Sequence, residues 1–246
     1  MNLRIAVVHE AQDDFDIATH LADDVILEAI EWLDRDLLPF QREWIARNPD
    51  HVSLKWKTIP RLARELNIKA HGHIKDEPLE IEAGATRRAI RYLKAIFEDL
   101  NAVILIRDQD DEPRRLEGLK QARNEDHGNL VVVIGLAIIE REAWVLAGFQ
   151  PQDESEQALL DVERQTLGFQ PHEQSHRLTA GKDDNAKLSP KRVLSVLCRS
   201  TTTRERLCWT QTPLAILRER GTSNGLSHYL DEVRTRLVPL FGNTKP

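Results

Sequence analysis

The sequence predicts an α/β protein: a mostly parallel sheet flanked by helices, followed by a helical C-terminal extension. Three short apolar runs support this prediction, at residues 3–8, 102–106 and 129–139. Strands that are apolar throughout are typical of a parallel sheet covered on both faces. The segments between these runs carry apolar residues at helical spacing, and alternating strands and helices favour such a sheet.

The elements of the first hundred residues follow from local patterns. Residues 13–44 have apolar side chains at helical spacing and predict a long helix, which Pro39 is expected to break or end. Residues 51–59 alternate apolar and polar side chains and predict a half-buried strand. Residues 60–81 are charged and predict a helical turn and a loop, and residues 83–100 predict an amphipathic helix.

The remaining elements extend the same pattern toward the C-terminus. Between the second and third apolar runs, residues 113–123 predict a polar helix, and residues 140–149 predict a short helix after the third run. An acidic helix is expected over 150–163, a loop over 168–188, a helix opened by Pro190 and an amphipathic helix over 223–242. We therefore predict an α/β domain at residues 1–150 and a helical extension packed on it at residues 151–246.

Composition and charge restrict the classes of function. The chain has 246 residues, of which 41% are hydrophobic and 30% charged, as expected for a globular protein with a core. No apolar run is long enough to cross a bilayer, and the N-terminus lacks the pattern of a signal peptide, so we predict a cytoplasmic protein without a membrane partner. The net charge of −6 counts against a plain nucleic-acid-binding module, which is usually basic.

The cysteines, the histidines and the glycines identify no specific kind of functional site. The spacing of Cys198 and Cys208 matches no common zinc or redox motif, and we interpret both as structural. His172 and His176 have a spacing compatible with metal ligation, with a general acid role or with neither. The chain has no glycine-rich phosphate loop of the P-loop type.

Acidic side chains follow each of the three predicted strands. Glu10 follows the first, Asp108 and Asp110 follow the second, and Glu140 and Glu142 follow the third. In parallel sheets ligands bind at the carboxyl ends of the strands, and alternate residues of extended chain point the same way. Carboxylate oxygens are the ligands that Mg2+ and Mn2+ prefer. The pattern therefore predicts a divalent-metal site here, with a glutamate completing it or acting as general base.

A second interpretation of these acids stays open at this point. Aspartates after strands are common as helix N-caps, where they accept hydrogen bonds from free backbone N–H groups. Asp111 and Glu112, directly before Pro113, are expected to open the next helix in this way. Asp-x-Asp alone does not distinguish a cap from a metal site.

The order of these motifs resembles the TOPRIM domain of topoisomerases, primases and nucleases of the overcoming-lysogenization-defect (OLD) type. "VVHEAQDDF" is similar to the first TOPRIM motif, with Glu10 as its glutamate, Asp14 as its later acid and Ala11 where glycine is usual. "LIRDQDDE" is similar to the Asp-x-Asp motif, with Asp108 and Asp110.

"AIIEREAWVLAGF" resembles a narrower group within that family. Small TOPRIM-like proteins encoded beside ABC-type ATPases in bacterial defence loci, the RloB-like proteins among them, carry a glutamate just before a tryptophan-containing helix. Glu142 is the better match to that glutamate and Glu140 the second. Together the resemblances cover about residues 3–150.

The resemblance implies a Mg2+- or Mn2+-dependent nuclease of anti-phage defence that cleaves DNA or RNA together with an ABC-type ATPase. It implies that Asp108, Asp110 and Glu10 hold the metal, and that Glu142, or Glu140 in its place, ligates metal or orients water.

A phosphate substrate also requires cations. Lys182, Lys187, Lys191 and Arg192 lie around the start of a predicted helix, whose N-terminus is a natural anion site. Arg115 follows the acidic cluster and could contact the same phosphate. The alternative is that these basic side chains only solvate a loop and a helix surface.

Two other functions fit the same residues. An apolar strand followed by Asp-x-Asp is also typical of nucleotide-sugar glycosyltransferases, in which the carboxylates hold Mn2+ on a diphosphate. A non-catalytic subunit of an ATPase complex is the third possibility. Glu10 at the end of the first strand favours the nuclease over the glycosyltransferase.

Overall fold

A computed structural model describes residues 2–45, 54–70, 73–74, 77–179, 181 and 183–242. The fold is α/β, with a four-stranded parallel sheet flanked by helices and with further helices in the C-terminal part. The predicted fold class is therefore confirmed. Over the described residues, every helix is too short or too polar to span a lipid bilayer.

The chain forms two compact units. The first contains residues 1–107, 112–135 and 231–246, and the second contains residues 108–111 and 136–230. Residues 136–150 thus group with the C-terminal helices, and residues 231–246 return to the first unit. The division into domains at residues 1–150 and 151–246 stays a prediction.

Three neighbouring strands of the sheet are β1 (Leu3–Val8), β2 (Arg42–Ile45) and β5 (Ala102–Asp108). β1 pairs in parallel with β2 on one side and with β5 on the other, and the full strand order is β2-β1-β5-β6, with β6 at Val131–Ala137. The last four residues of β1 are completely buried. This burial explains why the strand is apolar throughout rather than alternating.

The prediction of one helix over residues 13–44 was wrong at its C-terminal end. Helix α1 runs only from Gln12 to Ala29, a short helix α2 covers Leu38–Gln41, and β2 follows directly. Arg42 donates to both carboxylate oxygens of Asp23, at 2.7 and 2.5 Å, and the Trp44 indole donates to the same carboxylate at 3.2 Å. A strand that buries an arginine on a helix carboxylate lacks the apolar pattern by which strands are predicted.

The strand predicted over residues 51–59 lies partly outside the described residues, which resume at Leu54. There the backbone of Trp56 donates to His9, and His9 donates to Leu54, at 2.9 and 3.2 Å. His9 and Lys55 form an isolated parallel bridge, and helix α3 (Ile59–Glu65) follows.

The first unit also contains a small hairpin and two further helices. The hairpin pairs β3 (His73–Ile74) with β4 (Glu77–Pro78), and helices α4 (Ala83–Ile96) and α5 (Arg115–Arg123) pack against each other. Gly118 of α5 lies close to the backbone at the start of α4, since a Cβ there would lie 1.6 Å from the carbonyl oxygen of Ile81 and 2.8 Å from the backbone nitrogen of Ala83. Only glycine fits this position without a backbone shift.

Residues from the C-terminal part complete the first unit. The predicted helix over 223–242 is present as α11 (Leu226–Glu232), followed by a π-helical turn (Val233–Leu237) and a 3-10 turn (Val238–Phe241). The buried Glu232 accepts from Arg123 at 2.8 Å and from the backbone N–H of Ile134 at 3.2 Å. The π-helical turn contacts α1.

The second unit is mostly helical. Its elements are α6 (Arg141–Ala147), α7 (Glu154–Leu167), a 3-10 turn (Ser175–Arg177), α8 (Pro190–Leu197), α9 (Thr202–Thr210), α10 (Leu214–Arg220) and most of α11. Trp144 is buried, stacks on Tyr229 at 5.3 Å, and donates from its indole to the carbonyl of Asn224 at 2.9 Å. Its contacts are those of a core residue.

Candidate functional site

The turn after β5 lies beside the segment that follows β6. The backbone N–H of Gln109 donates to the Ala137 carbonyl at 2.8 Å, and that of Asp110 donates to the Ile139 carbonyl at 3.0 Å. Asp110 and Ile139 both have left-handed backbone conformations, with φ of 49° and 79°. Two uncommon conformations in adjacent turns are held by these hydrogen bonds, so the Asp-x-Asp turn has a defined backbone.

Asp108 accepts a hydrogen bond at the start of α6. Its Oδ1 lies 2.8 Å from the backbone nitrogen of Arg141, the first residue of that helix. A carboxylate at this position satisfies a free N–H group and interacts favourably with the positive end of the helix. The structure therefore bears out part of the capping interpretation for Asp108.

Glu140 and Glu142 lie at the same end of α6, and each is ion-paired. Glu140 is 7% exposed, and its Oε1 lies 3.1 Å from the ammonium of Lys191. Glu142 Oε1 accepts from the guanidinium of Arg141 at 2.8 Å. Burial raises the pKa of Glu140, the Lys191 ammonium opposes that rise, and the negative charges of Glu142 and Asp110 add to it. These charges therefore act on one another within the second unit.

Lys191 is the basic residue that the structure brings to this cluster. Its ammonium lies 3.1 Å from Glu140 and 3.3 Å from Asp184. Partial burial lowers the pKa of Lys191, but hydrogen bonds to these two carboxylates outweigh it, so the pKa is raised. Lys191 therefore keeps its charge at neutral pH. We call Asp108, Asp110, Glu140, Glu142 and Lys191 the α6 cluster.

Glu10, the remaining predicted ligand, belongs to the first unit. Its Oε1 lies 3.0 Å from a guanidinium nitrogen of Arg107, which also contacts Glu82 at 3.3 Å and stacks on Trp56 at 5.2 Å. Arg107 was not among the predicted site residues, although it stands directly before Asp108 in the sequence.

The later acid of the first motif caps a helix. The Asp14 carboxylate accepts from the backbone N–H groups of Glu10 and Ala11, at 3.0 and 2.7 Å, ahead of α1. Helix capping is therefore a sufficient structural reason for an acid at this position.

The other predicted phosphate-binding residues have different surroundings. Arg192 donates two hydrogen bonds to the buried Glu163, at 2.8 and 2.7 Å. Arg115 is largely buried in the first unit, 3.8 Å from Glu82, and Lys187 is exposed. Lys182 lies outside the described residues. Of the predicted cations, the structure thus brings only Lys191 to the α6 cluster among the described residues.

The donor set of the α6 cluster suits a hard cation. Its four acidic residues offer only carboxylate oxygens, the ligands that Mg2+ takes in proteins. No group of three or more metal-binding side chains is found among the described residues. Mg2+ is commonly bound by one or two carboxylates with water and substrate phosphate completing its shell, so Asp108 and Asp110 fit such a site by their chemistry.

His172 also belongs to the second unit and is 7% exposed. Burial lowers its pKa from 6.5 to about 4, and the nearby positive charge of Arg220 adds to the effect. The carboxylate of Glu173, 3.7 Å away, is exposed to solvent and does not offset burial. A neutral buried imidazole is unsuited to a general acid role at neutral pH.

Because of that lowered pKa, we expect His172 to make the protein labile in acid. Between pH 6.5 and pH 4 the unfolded chain binds a proton that the folded chain does not, so stability falls as the pH falls. At pH 4.5 the loss from this residue should be about 2 kcal/mol relative to pH 7.5. Urea unfolding at both pH values should show a smaller loss in His172→Gln than in wild type, whereas exposed His228→Gln serves as control. An unchanged pH dependence in His172→Gln would contradict the prediction.

Comparison of the chain with protein-family models, with curated proteins and with solved structures gave no match.

Proposed function

We propose that this chain is a divalent-metal-dependent nuclease that hydrolyses phosphodiester bonds in DNA or RNA. The observation that carries the proposal is the α6 cluster, in which acids from two separate strand ends share one electrostatic environment with a charged lysine. Like charges that lie together in this way repel unless a cation offsets them. The four carboxylates outnumber the two cations that pair with them, Lys191 and Arg141, and Lys191 is shared with Asp184, which leaves room for a divalent cation.

The residues of the cluster have distinct roles in this proposal. Asp108 and Asp110 would hold Mg2+ or Mn2+, which when bound polarises the phosphate and acidifies an attacking water. Glu140 is suited to accept a proton, since its raised pKa makes it a stronger base than an ordinary carboxylate. Lys191 stays protonated and can stabilise negative charge on a phosphate oxygen.

The sequence resemblance supports the wider context of the proposal. Motifs in TOPRIM-like order, with a glutamate before a tryptophan-containing helix, favour a cytoplasmic protein of bacterial anti-phage defence. The net charge of −6 favours a partner that supplies affinity for nucleic acid, for which we propose an ABC-type ATPase. Glu10 is proposed as a further ligand on the resemblance alone.

One observation favours a second candidate, a non-catalytic subunit of an ATPase complex. Glu140 and Glu142 are already ion-paired, to Lys191 and to Arg141, and Asp108 caps α6. Such contacts also stabilise a fold without any metal, because capping and ion pairing satisfy carboxylates by themselves.

Metal dependence distinguishes the two candidates. The purified protein, with and without a neighbouring ATPase, is incubated with single- and double-stranded DNA and with RNA including tRNA. We expect cleavage in Mg2+ or Mn2+ and none in excess EDTA, and we expect calorimetry to detect Mn2+ binding. If none of these substrates is cleaved under any of these conditions, the nuclease proposal is contradicted and the non-catalytic subunit is favoured.

A further inference from the structure

A wide, open cavity of about 630 Å3 on the surface of the second unit has an unusual lining. It lies between the C-terminal end of α7 and the 3-10 turn at Ser175–Arg177. Arg164 and Arg177 supply two positive charges, three glutamines supply amide groups, Phe169 supplies a ring, and no carboxylate is among the lining residues. In a chain with a net charge of −6 this is a locally positive site.

Arg177 is held in a fixed orientation at this cavity. Its guanidinium lies over the ring of Phe169, 4.3 Å from the ring centre, and donates to the side-chain oxygen of Gln174 at 2.8 Å. Phe169 is largely buried, whereas Arg177 is exposed. One face of the guanidinium is thus stacked and the side chain remains accessible, which suits stacking of a base on a planar cation.

Arg164 supplies the second charge from the last turn of α7. The residue is exposed, and its side chain forms no hydrogen bond or ion pair with a described residue. Two other arginines of the unit are neutralised, since Arg192 pairs with Glu163 and Arg204 pairs with Glu156. Arg164 therefore has its donors available for an anion such as a phosphate.

The glutamine amides suit the edges of a base. Gln165, Gln170 and Gln174 contribute side-chain amides to the lining, although the Oε1 atom of Gln170 itself is buried out of reach of solvent. Amide groups both donate and accept, as base edges require.

We infer that this cavity binds a nucleotide of a single-stranded nucleic acid, with its phosphate on Arg164 and its base against Arg177. A single strand is specified because its bases are unstacked and can enter a cavity, whereas the bases of a duplex are stacked inside it. That the bound strand is the substrate rests on the proposed function, but the binding itself does not.

The cavity and the α6 cluster are joined within the second unit. The side-chain amide of Asn224 donates to Ser175, two residues before Arg177, and to the Ala143 carbonyl of α6, both at 2.9 Å. On the other side, Arg192 connects α8 to Glu163 of α7, while its neighbour Lys191 pairs with Glu140. A strand bound in the cavity is therefore held by the same packed elements that carry the acidic side chains.

Fluorescence anisotropy tests the inference with labelled single-stranded RNA and DNA of 12 nucleotides, in EDTA so that no cleavage occurs. We expect Arg164→Gln and Arg177→Gln each to weaken binding about tenfold, and we expect Arg164→Gln, which removes the phosphate contact, also to lower the slope of log affinity against log salt by about 0.7. Arg206→Gln is the matched control, since Arg206 is exposed and lies over the ring of Trp209 outside the cavity. It should bind as wild type does.

The remaining arms separate the alternatives. Equal affinity of wild type and both cavity variants would overturn the inference, even if metal-dependent cleavage were observed. If AMP competes as well as the oligonucleotide does, the cavity binds a free nucleotide, and the assignment to a nucleic-acid strand is overturned. Duplex DNA bound as tightly as single strands would overturn it too. Circular dichroism of each variant verifies folding, so that loss of binding by a folded protein supports the inference.

Discussion

Cleavage of nucleic acid is expected to fall at least 100-fold in Asp110→Asn, which corresponds to about 3 kcal/mol of transition-state stabilisation. The substitution removes the negative charge that would hold the metal and keeps the size of the side chain. Asparagine also tolerates the left-handed backbone at this position, where φ is 49°. The measurement is the single-turnover rate in Mg2+ and in Mn2+ at saturating enzyme.

Asp111→Asn is the matched control for this prediction. Both aspartates are exposed, they are adjacent in the same turn, and both substitutions remove one negative charge. Asp111→Asn should cleave at close to the wild-type rate. Equal losses in the two variants would indicate a general electrostatic effect of the turn, and no loss in Asp110→Asn would contradict its role as a ligand.

Gly118→Ala is expected to destabilise the first unit by about 3 kcal/mol. The added Cβ would lie 1.6 Å from the carbonyl oxygen of Ile81 and 2.8 Å from the backbone nitrogen of Ala83. Backbone atoms cannot turn aside as the end of a side chain can, so α4 and α5 must separate or the helix must bend. Urea unfolding at pH 7.5 measures the loss as a lower transition midpoint.

Gly84→Ala provides the same substitution in the partner helix α4 with the opposite sign. There the nearest atoms to a new Cβ lie at 3.5 and 3.7 Å, which are ordinary contact distances. Alanine reduces the freedom of the unfolded chain, so this variant should be stabilised by about 0.5 kcal/mol. Equal behaviour of the two variants would show that the close contact at Gly118 has no energetic weight.

The sequence was sufficient to predict the strands that are buried over most of their length. β1, β5 and β6 are buried over most of their length, and their continuous apolar runs predicted them. β2 was missed because its first residue, Arg42, is buried on a carboxylate 19 positions earlier. Hydrophobic periodicity carries no signal for a charge that is buried because of a distant partner.

The site was predictable only in the positions of its acids. Strand ends indicated Asp108, Asp110, Glu140 and Glu142, and the structure groups them in one unit. The roles of the cations depend on pairings distant in sequence: Lys191 meets Glu140, and Arg192 meets Glu163. Local sequence therefore indicated where positive charge occurs but not which carboxylate neutralises it.

The discontinuity of the first unit affects how the protein is made. Glu232 accepts from Arg123 and from the backbone of Ile134, and 98 positions separate Ile134 from Glu232. A ribosome needs roughly 5 to 20 s to add that many residues. During this interval the nascent first unit lacks the carboxylate that Arg123 binds and the turn that contacts α1. Completion of its core must therefore follow synthesis of the second unit, and chaperones have that interval in which to bind.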